Sequence, residues 1–316
     1  MAEQEIDLCK LIEQYGSEDR CRKYLEELRW PAGVRCVKCS NEKISRIHQR
    51  NQFHCESCNH QFSVTAGTIF HDTHLPLWKW FLCTYLICES RKGMSANQLK
   101  RTLGISYKTA WYLCHRIRKA MAEAHGHKLK GTVEFDDEMH MGGKRQRGRG
   151  GKYHDKRPVI GIRERGGHLH FIRSSEVNQQ VVDDIIARNV DKTVDVIMTD
   201  ESRLYNIKLT RFRGKHQPMN HSADEYVRQE DGQCVTTTAG KSALSLFKRG
   251  IVGTWHRVSV KHLPAYLNEM TWRFNNRKNP FLFRDTIKRM LNADNLEFTE
   301  LKHRRMNASP STQGSH

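Results

Sequence analysis

The chain has 316 residues, 37% of them apolar, which is enough for a packed core and for two or three domains and excludes a disordered chain. Its 53 Lys and Arg against 35 Asp and Glu leave a formal net charge of +18, which points to a polyanionic partner, with nucleic acid the first to consider. The longest strongly apolar run, residues 80–88, is too short to cross a bilayer, and the acidic, polar start MAEQEIDLCK is no signal peptide, so an intracellular protein without a membrane partner is expected.

In chain order, residues 1–30 form an N-terminal helical segment, with Leu8, Leu11, Ile12 and Tyr15 at helical spacing. Next come CVKC at 36–39 and CESC at 55–58, fifteen residues apart. Two tight knuckles at that spacing can each offer two thiolates to one tetrahedral ion, so Cys36, Cys39, Cys55 and Cys58 are read as ligands of a structural Zn²⁺ in a zinc ribbon spanning 31–74. Four sulfurs close the site, and His54, His60, His71 and His74 are not counted as ligands.

From Pro76 the pattern turns helical, with Leu77, Trp80, Phe81, Thr84, Tyr85 and Cys88 forming an inward stripe. GMSANQLKRTLGISYKTAWYLCHRIRKAM then reads as two capped helices, with Ser95 and Ser106 as N-caps and Gly104 in the turn, a helix-turn-helix within a 75–128 domain. In the second helix Ala110, Cys114, Ile117 and Met121 are expected inside. That leaves Lys108, Tyr112, His115 and Lys119 on an outer face suited to phosphates and base edges of double-stranded DNA.

The stretch VEFDDEMHMGGK places Glu134, Asp136, Asp137 and Glu138 on the strand that opens an α/β domain over 129–290. A basic, glycine-loosened tract follows, whose Lys144, Arg145, Arg147 and Arg149 could track a DNA backbone. RPVIGIRE and GHLHFIRS read as two strands joined at Gly166-Gly167, EVNQQVVDDIIARNV as a helix with Val177, Val181 and Ile185 inward, and DVIMTDES as a short strand ending at Asp200. Helices are expected over roughly 240–249 and 259–276, and a tail over 291–316. The order fits a mixed sheet with flanking helices. If the first and fourth strands are neighbours, their acids converge as in ribonuclease H-like nucleases. Converging carboxylates call for a hard cation, Mg²⁺ or Mn²⁺, and two such ions about 4 Å apart support in-line attack on phosphorus.

These segments, with MNHSADEYV and LFKRGIVGTWHRVSVKHLPAYLNEMTWRFNNRK, resemble bacterial insertion-sequence transposases that join an N-terminal zinc ribbon to a ribonuclease H-like catalytic domain of the D-D-E/N type; the match runs through most of residues 30–280. The resemblance implies that Asp137, in Asp-Glu-x-x-x-Gly-Gly, is the first catalytic acid and Asp200 the second. Asp136 is the competing register, and strict alternation along the strand would leave only one of the two neighbours as a ligand. The family's third position, a Glu or Asn seven residues before the Lys of Lys-Arg-Gly, holds Lys241 here, with Glu225, Glu230 and Asp231 the nearest acids. Lys248 and His256 match basic positions of the family and are expected at the DNA. The implied activity is binding of the element's inverted repeats, hydrolytic nicking and joining of the 3′ end to target DNA, by an oligomer acting on DNA in the cytoplasm. The rival readings are a transposase-derived DNA-binding protein impaired by Lys241 and a metal-dependent DNA nuclease.

Overall fold

The computed structural model describes residues 6–122, 127–141, 157–200, 212, 214–219, 228–230, 233–235 and 245–302, with the backbone alone considered at 136–141, 200, 218–219, 228–230 and 233–235. Lys144, Arg145, Arg147, Arg149 and Lys241 lie outside these residues.

Helices α1 (Leu8–Tyr15) and α2 (Glu18–Arg29) begin where Asp7 and Ser17 accept a backbone N–H of the first turn. They pack with α3 (Leu77–Glu89), α4 (Ala96–Leu103) and α5 (Tyr107–Ala120) around Leu11, Leu25, Trp80, Phe81, Leu99 and Ile117. Ser95 and Ser106 cap α4 and α5 as expected, and Gly104 ends α4 at φ 60°, a left-handed position that costs glycine no Cβ clash. Between α2 and α3 lies the ribbon, an antiparallel sheet of β1 (Ile44–Ile47), β2 (Gln52–Cys55) and β3 (Gln61–Phe62). It is anchored to α2 by a bidentate Arg46–Glu26 pair at 3.0 and 3.1 Å and by Arg29, whose Nη1 donates to the Val64 carbonyl at 2.6 Å.

The second half is built on a five-stranded sheet in the order β6-β5-β4-β7-β8. Its members are β4 (Thr132–Met141), β5 (Arg157–Glu164), β6 (Leu169–Arg173), β7 (Val196–Asp200) and β8 (His216–Met219). Strands β4, β5 and β6 pair antiparallel, whereas β4–β7 and β7–β8 are parallel, so β5 alone runs against the others. This is the ribonuclease H-like arrangement. One face is covered by α6 (Gln179–Asn189) over Val133, Phe135, Ile160, Ile162 and Ile197. The helix buries Val182, Ile185 and Ile186, with Val177 and Val181 only partly covered, so its inward face is turned slightly from the expected one.

On the other face, Val159 and Phe171 meet α7 (245–250), a π-helical turn at Ile251–Trp255 and α8 (Leu263–Asn275). The Asn275 amide takes the N–H of Leu169 at 2.8 Å and donates to its carbonyl at 3.0 Å, which satisfies the edge of β6 where another strand could add. A small hairpin of β9 (Arg228–Glu230) and β10 (Gln233–Val235) is separate from this sheet. Finally α9 (Leu282–Asn292) inserts Phe283, Ile287 and Met290 into the N-terminal helical core, so the expected boundary at 290 falls within a helix that completes the first half. A short α10 (Phe298–Lys302) follows.

The halves are locked by buried charge. Glu269 of α8, 0% exposed, pairs with Arg118 of α5 at 2.6 Å and with Arg273 at 3.4 Å, while the Arg118 guanidinium lies 4.0 Å from the Tyr266 ring centre. Removing the carboxylate strands two buried guanidinium groups. Glu269→Ala should therefore lower unfolding stability by about 3–5 kcal/mol, measured by urea denaturation; a loss under about 1 kcal/mol, the size of an exposed pair, would show that the triad is not a lock.

Candidate metal centres and nucleic-acid surface

The ribbon cysteines converge as their spacing predicts. All four sulfurs lie within 4.8 Å of one another, with Cys36–Cys58 and Cys39–Cys55 each 3.6 Å apart. A tetrahedron with Zn–S of about 2.3 Å requires S–S separations of about 3.8 Å, so the donor set fits Zn²⁺. The two knuckles repeat one geometry: Ser40 and Asn59 sit at φ 59° and 54°, and their N–H groups return to the carbonyls of Cys36 and Cys55 at 2.9 Å. Desolvation raises the Cys36 thiol pKa, but the backbone N–H groups of Cys39 and Lys38 and the neighbouring sulfurs outweigh it and bring the thiol down to about 6, which favours the metal-binding thiolate. The cluster is made of the four sulfurs, with His54, His60, His71 and His74 outside it.

Strand β4 bears the acids. Val133 pairs with Ile197 and Glu134 with Met198 across the parallel β4–β7 ladder, and Asp136 and Asp200 stand two residues beyond that last pair. The buried Glu134 carboxylate accepts the Arg165 guanidinium on Oε1 at 2.8 Å, so an arginine already balances its charge. The antiparallel ladder to β5 shifts between Asp136 and Met139: Asp136 faces Gly161, but Met139 faces Val159, so β4 carries one additional residue there. That bulge interrupts the alternation from which only one of Asp136 and Asp137 was expected to be a ligand.

Helix α5 departs most from expectation. Ala110, Cys114, Ile117 and Met121 are buried as foreseen, but His115 is too, at 1% exposed, between Trp111, His262 and Tyr266 with ring centres 4.4, 4.8 and 5.7 Å away. Residues 295–298 cover the rest of the face. Tyr112 donates to the Leu296 carbonyl, Lys119 donates to that of Asn295 at 2.6 Å, and the Lys108 ammonium lies 4.7 Å from the Phe298 ring centre. The expectation of an open outer face is therefore corrected at His115, which is buried, and at Tyr112 and Lys119, which are partly covered, while Lys108 stays exposed. The exposed residues of α5 lie in its first turn, with Tyr107 49% exposed beside Lys108 and with Lys100 and Arg101 of α4 exposed nearby. The signal for it was the Ser106 cap, since helix-turn-helix proteins present the N-terminal end of the second helix to base edges. Lys248 is exposed on α7. His256 is exposed directly after the π-helical turn, at φ 57° and ψ −41°, a strained position for a residue with a Cβ, and its Nδ1 lies 3.0 Å from the Val252 carbonyl.

Two outcomes follow. Purified protein should hold about one zinc per chain and Cys55→Ser should lose it; a variant that retains zinc would refute the ribbon assignment. Burial, with help from Arg118, His262 and Lys261, pushes the His115 imidazole down to about 2, so the folded state keeps it neutral while the unfolded chain protonates it near pH 6.5. Its contribution is intact above that pH and is lost as pH falls toward 2. The urea midpoint should thus drop from pH 7.5 to 5, and His115→Phe should flatten that dependence by up to about one proton; an unchanged slope would contradict the burial.

Family comparison matches residues 16–61 to a transposase zinc-ribbon domain and residues 128–275 to an ISXO2-like transposase domain. The chain is also 28% identical over 281 residues, covering 83% of it and 92% of the relative, to an uncharacterized protein in transposable element ISH50 of Halobacterium salinarum. With a four-cysteine ribbon, a ribonuclease H-like sheet and both domain matches in one order, the chain has the two-domain make-up of the insertion-sequence transposases that carry an N-terminal zinc ribbon.

Proposed function

We propose that the chain binds the ends of its own mobile element as duplex DNA, cleaves there and joins the freed 3′ end to target DNA. The observation that carries this reading is the parallel β4–β7 register, which brings the strand ends bearing Asp136, Asp137 and Asp200 side by side. Their carboxylates are hard oxygen donors suited to Mg²⁺ or Mn²⁺, which when bound would activate the attacking oxygen and stabilise the leaving one. The protein's part is to hold the acids and the DNA in line. The family pattern assigns the first ligand to Asp137, and a bulge of the kind found beside active sites gives the strand a means to re-aim that side chain. For DNA, the surface that fits is the α4–α5 turn, with Lys100, Arg101, Tyr107 and Lys108, supplemented by Lys144, Arg145, Arg147 and Arg149 and by exposed Lys248 and His256 on the catalytic half. Two copies, one for each element end, complete the assembly.

Lys241 favours a second reading, a transposase-derived binder with weak or no cleavage, because a protonated lysine cannot ligate a cation. The test is cleavage and joining of end-containing DNA in Mg²⁺ and in Mn²⁺. Asp137→Asn and Asp200→Asn should each lower the rate by at least about a hundredfold, more than loss of a group that only supports a metal ligand, with Asp136→Asn milder. Lys241→Glu should raise cleavage. Full activity of Asp200→Asn would refute the acid site, and strong wild-type joining in Mg²⁺ that Lys241→Glu cripples would refute the impaired reading.

A further inference from the structure

An open cleft of about 630 Å³ lies between the α1–α2 turn, the ribbon and the start of α3. Its walls carry Arg22, Arg50, Ser63, Thr65, His74 and Trp78, residues that neither the zinc centre nor the acid-bearing strands use. The carboxylates around it are already engaged: Glu18 Oε2 accepts the Leu77 N–H at 2.7 Å, and Asp19 pairs with Arg22 at 2.5 Å. Arg50 is exposed and makes no ion pair among the described residues, so its guanidinium stands ready for an anion.

Trp78 supplies a different chemistry. It is 37% exposed at the cleft, whereas Trp80 two residues on is buried. The Lys79 ammonium lies 5.3 Å from the Trp78 ring centre, and the part of the indole that stays exposed at the rim of a polar cleft is a surface for another flat ring. The walls are also fixed in place before any ligand arrives. Arg46 and Arg29 hold the ribbon to α2, and Trp80 Nε1 donates to Thr73 Oγ1 at 2.9 Å to secure the segment before α3. The cleft also adjoins the surface assigned to DNA. Lys79 Nζ donates to the Leu103 carbonyl at 2.8 Å, so the start of α3 is tied to the end of α4, one residue before the Gly104 turn that leads to Tyr107.

We propose that this cleft receives one unpaired nucleotide of a DNA strand, its base stacked on Trp78 and its phosphate at Arg50. A base within a duplex is covered on both faces by its neighbours and cannot offer one to an indole, and a cleft of this size admits a nucleotide but not a duplex. The inference rests on the DNA-binding reading given above and extends it from duplex to unpaired DNA.

The full, zinc-loaded chain should be titrated by fluorescence anisotropy with three probes: a blunt duplex, the same duplex carrying a short single-stranded tail, and the tail alone. The tailed duplex should bind about tenfold tighter than the blunt one, within the range expected for stacking one base on an aromatic ring. Trp78→Ala should erase that difference, Trp78→Phe should keep most of it, and Arg50→Gln should weaken the tailed and single-stranded probes while the blunt duplex is unchanged. Zinc content and thermal melting check that each variant is folded. If the blunt duplex binds but the tail adds nothing, or Trp78→Ala keeps the tail preference, the cleft proposal falls and DNA binding stands. If Trp78→Ala weakens blunt and tailed duplexes alike, the cleft contacts ordinary duplex and the proposal for an unpaired nucleotide is overturned. If no probe binds the wild-type chain, both readings fall.

Discussion

The parallel pairing of β4 with β7 is the constraint from which the rest of the sheet-bearing half follows. It joins an antiparallel meander, β6-β5-β4, to a parallel pair, β7-β8, and it sets the ends of two strands from distant parts of the chain beside each other. Because α6 lies between β6 and β7 in the chain and covers one face of the sheet, the return to β4 is directed by burial of Val133, Ile160, Ile162 and Ile197 rather than by any local signal. Glu134, two residues before Asp136, is neutralised by Arg165 inside the fold, so the negative charge of the VEFDDE stretch is divided between a structural pair and the strand end.

A second constraint sets how the two halves face each other. The Arg118–Glu269–Arg273 triad clamps α5 onto α8 in a setting where no group can be replaced by water. The clamp explains why α5 is nearly enclosed: α8 takes one side, α9 another, and residues 295–298 the face that a free-standing helix-turn-helix would show to DNA. What the clamp leaves outside is the α4–α5 turn, which Lys79 ties to the start of α3, while the ribbon is anchored to α2 by Arg46 and Arg29.

Features with local causes were legible in the sequence. The knuckles need only their own four cysteines, Ser95, Ser106 and Gly104 announce the α4–α5 turn by capping chemistry, and Gly166-Gly167 marks the β5–β6 hairpin. What escaped depends on partners far along the chain. Amphipathic spacing identified the inner side of α5 but could not show that His262, Leu296 and Phe298 would return to cover the outer one. Arg118 looks like any basic helix residue until Glu269, 151 positions away, is placed against it. The bulge in β4 leaves no mark in residue type, since one additional strand residue has the same chemistry as its neighbours, yet it decides whether alternation can separate Asp136 from Asp137. The inference to a transposase was accessible because it rests on motif order, while the placement of each side chain is a property of the fold.

The central claim is that the ends of β4 and β7 together hold a divalent cation. It can be tested without DNA or an assay of turnover by loading the protein with Fe²⁺, adding ascorbate and peroxide, and mapping where radicals generated at the ion cut the backbone. The account predicts paired cuts near residues 136–137 and near 200, suppressed by excess Mg²⁺ and absent from Asp200→Asn. Cuts at one strand alone, or cuts that persist in the variant and in excess Mg²⁺, would contradict it.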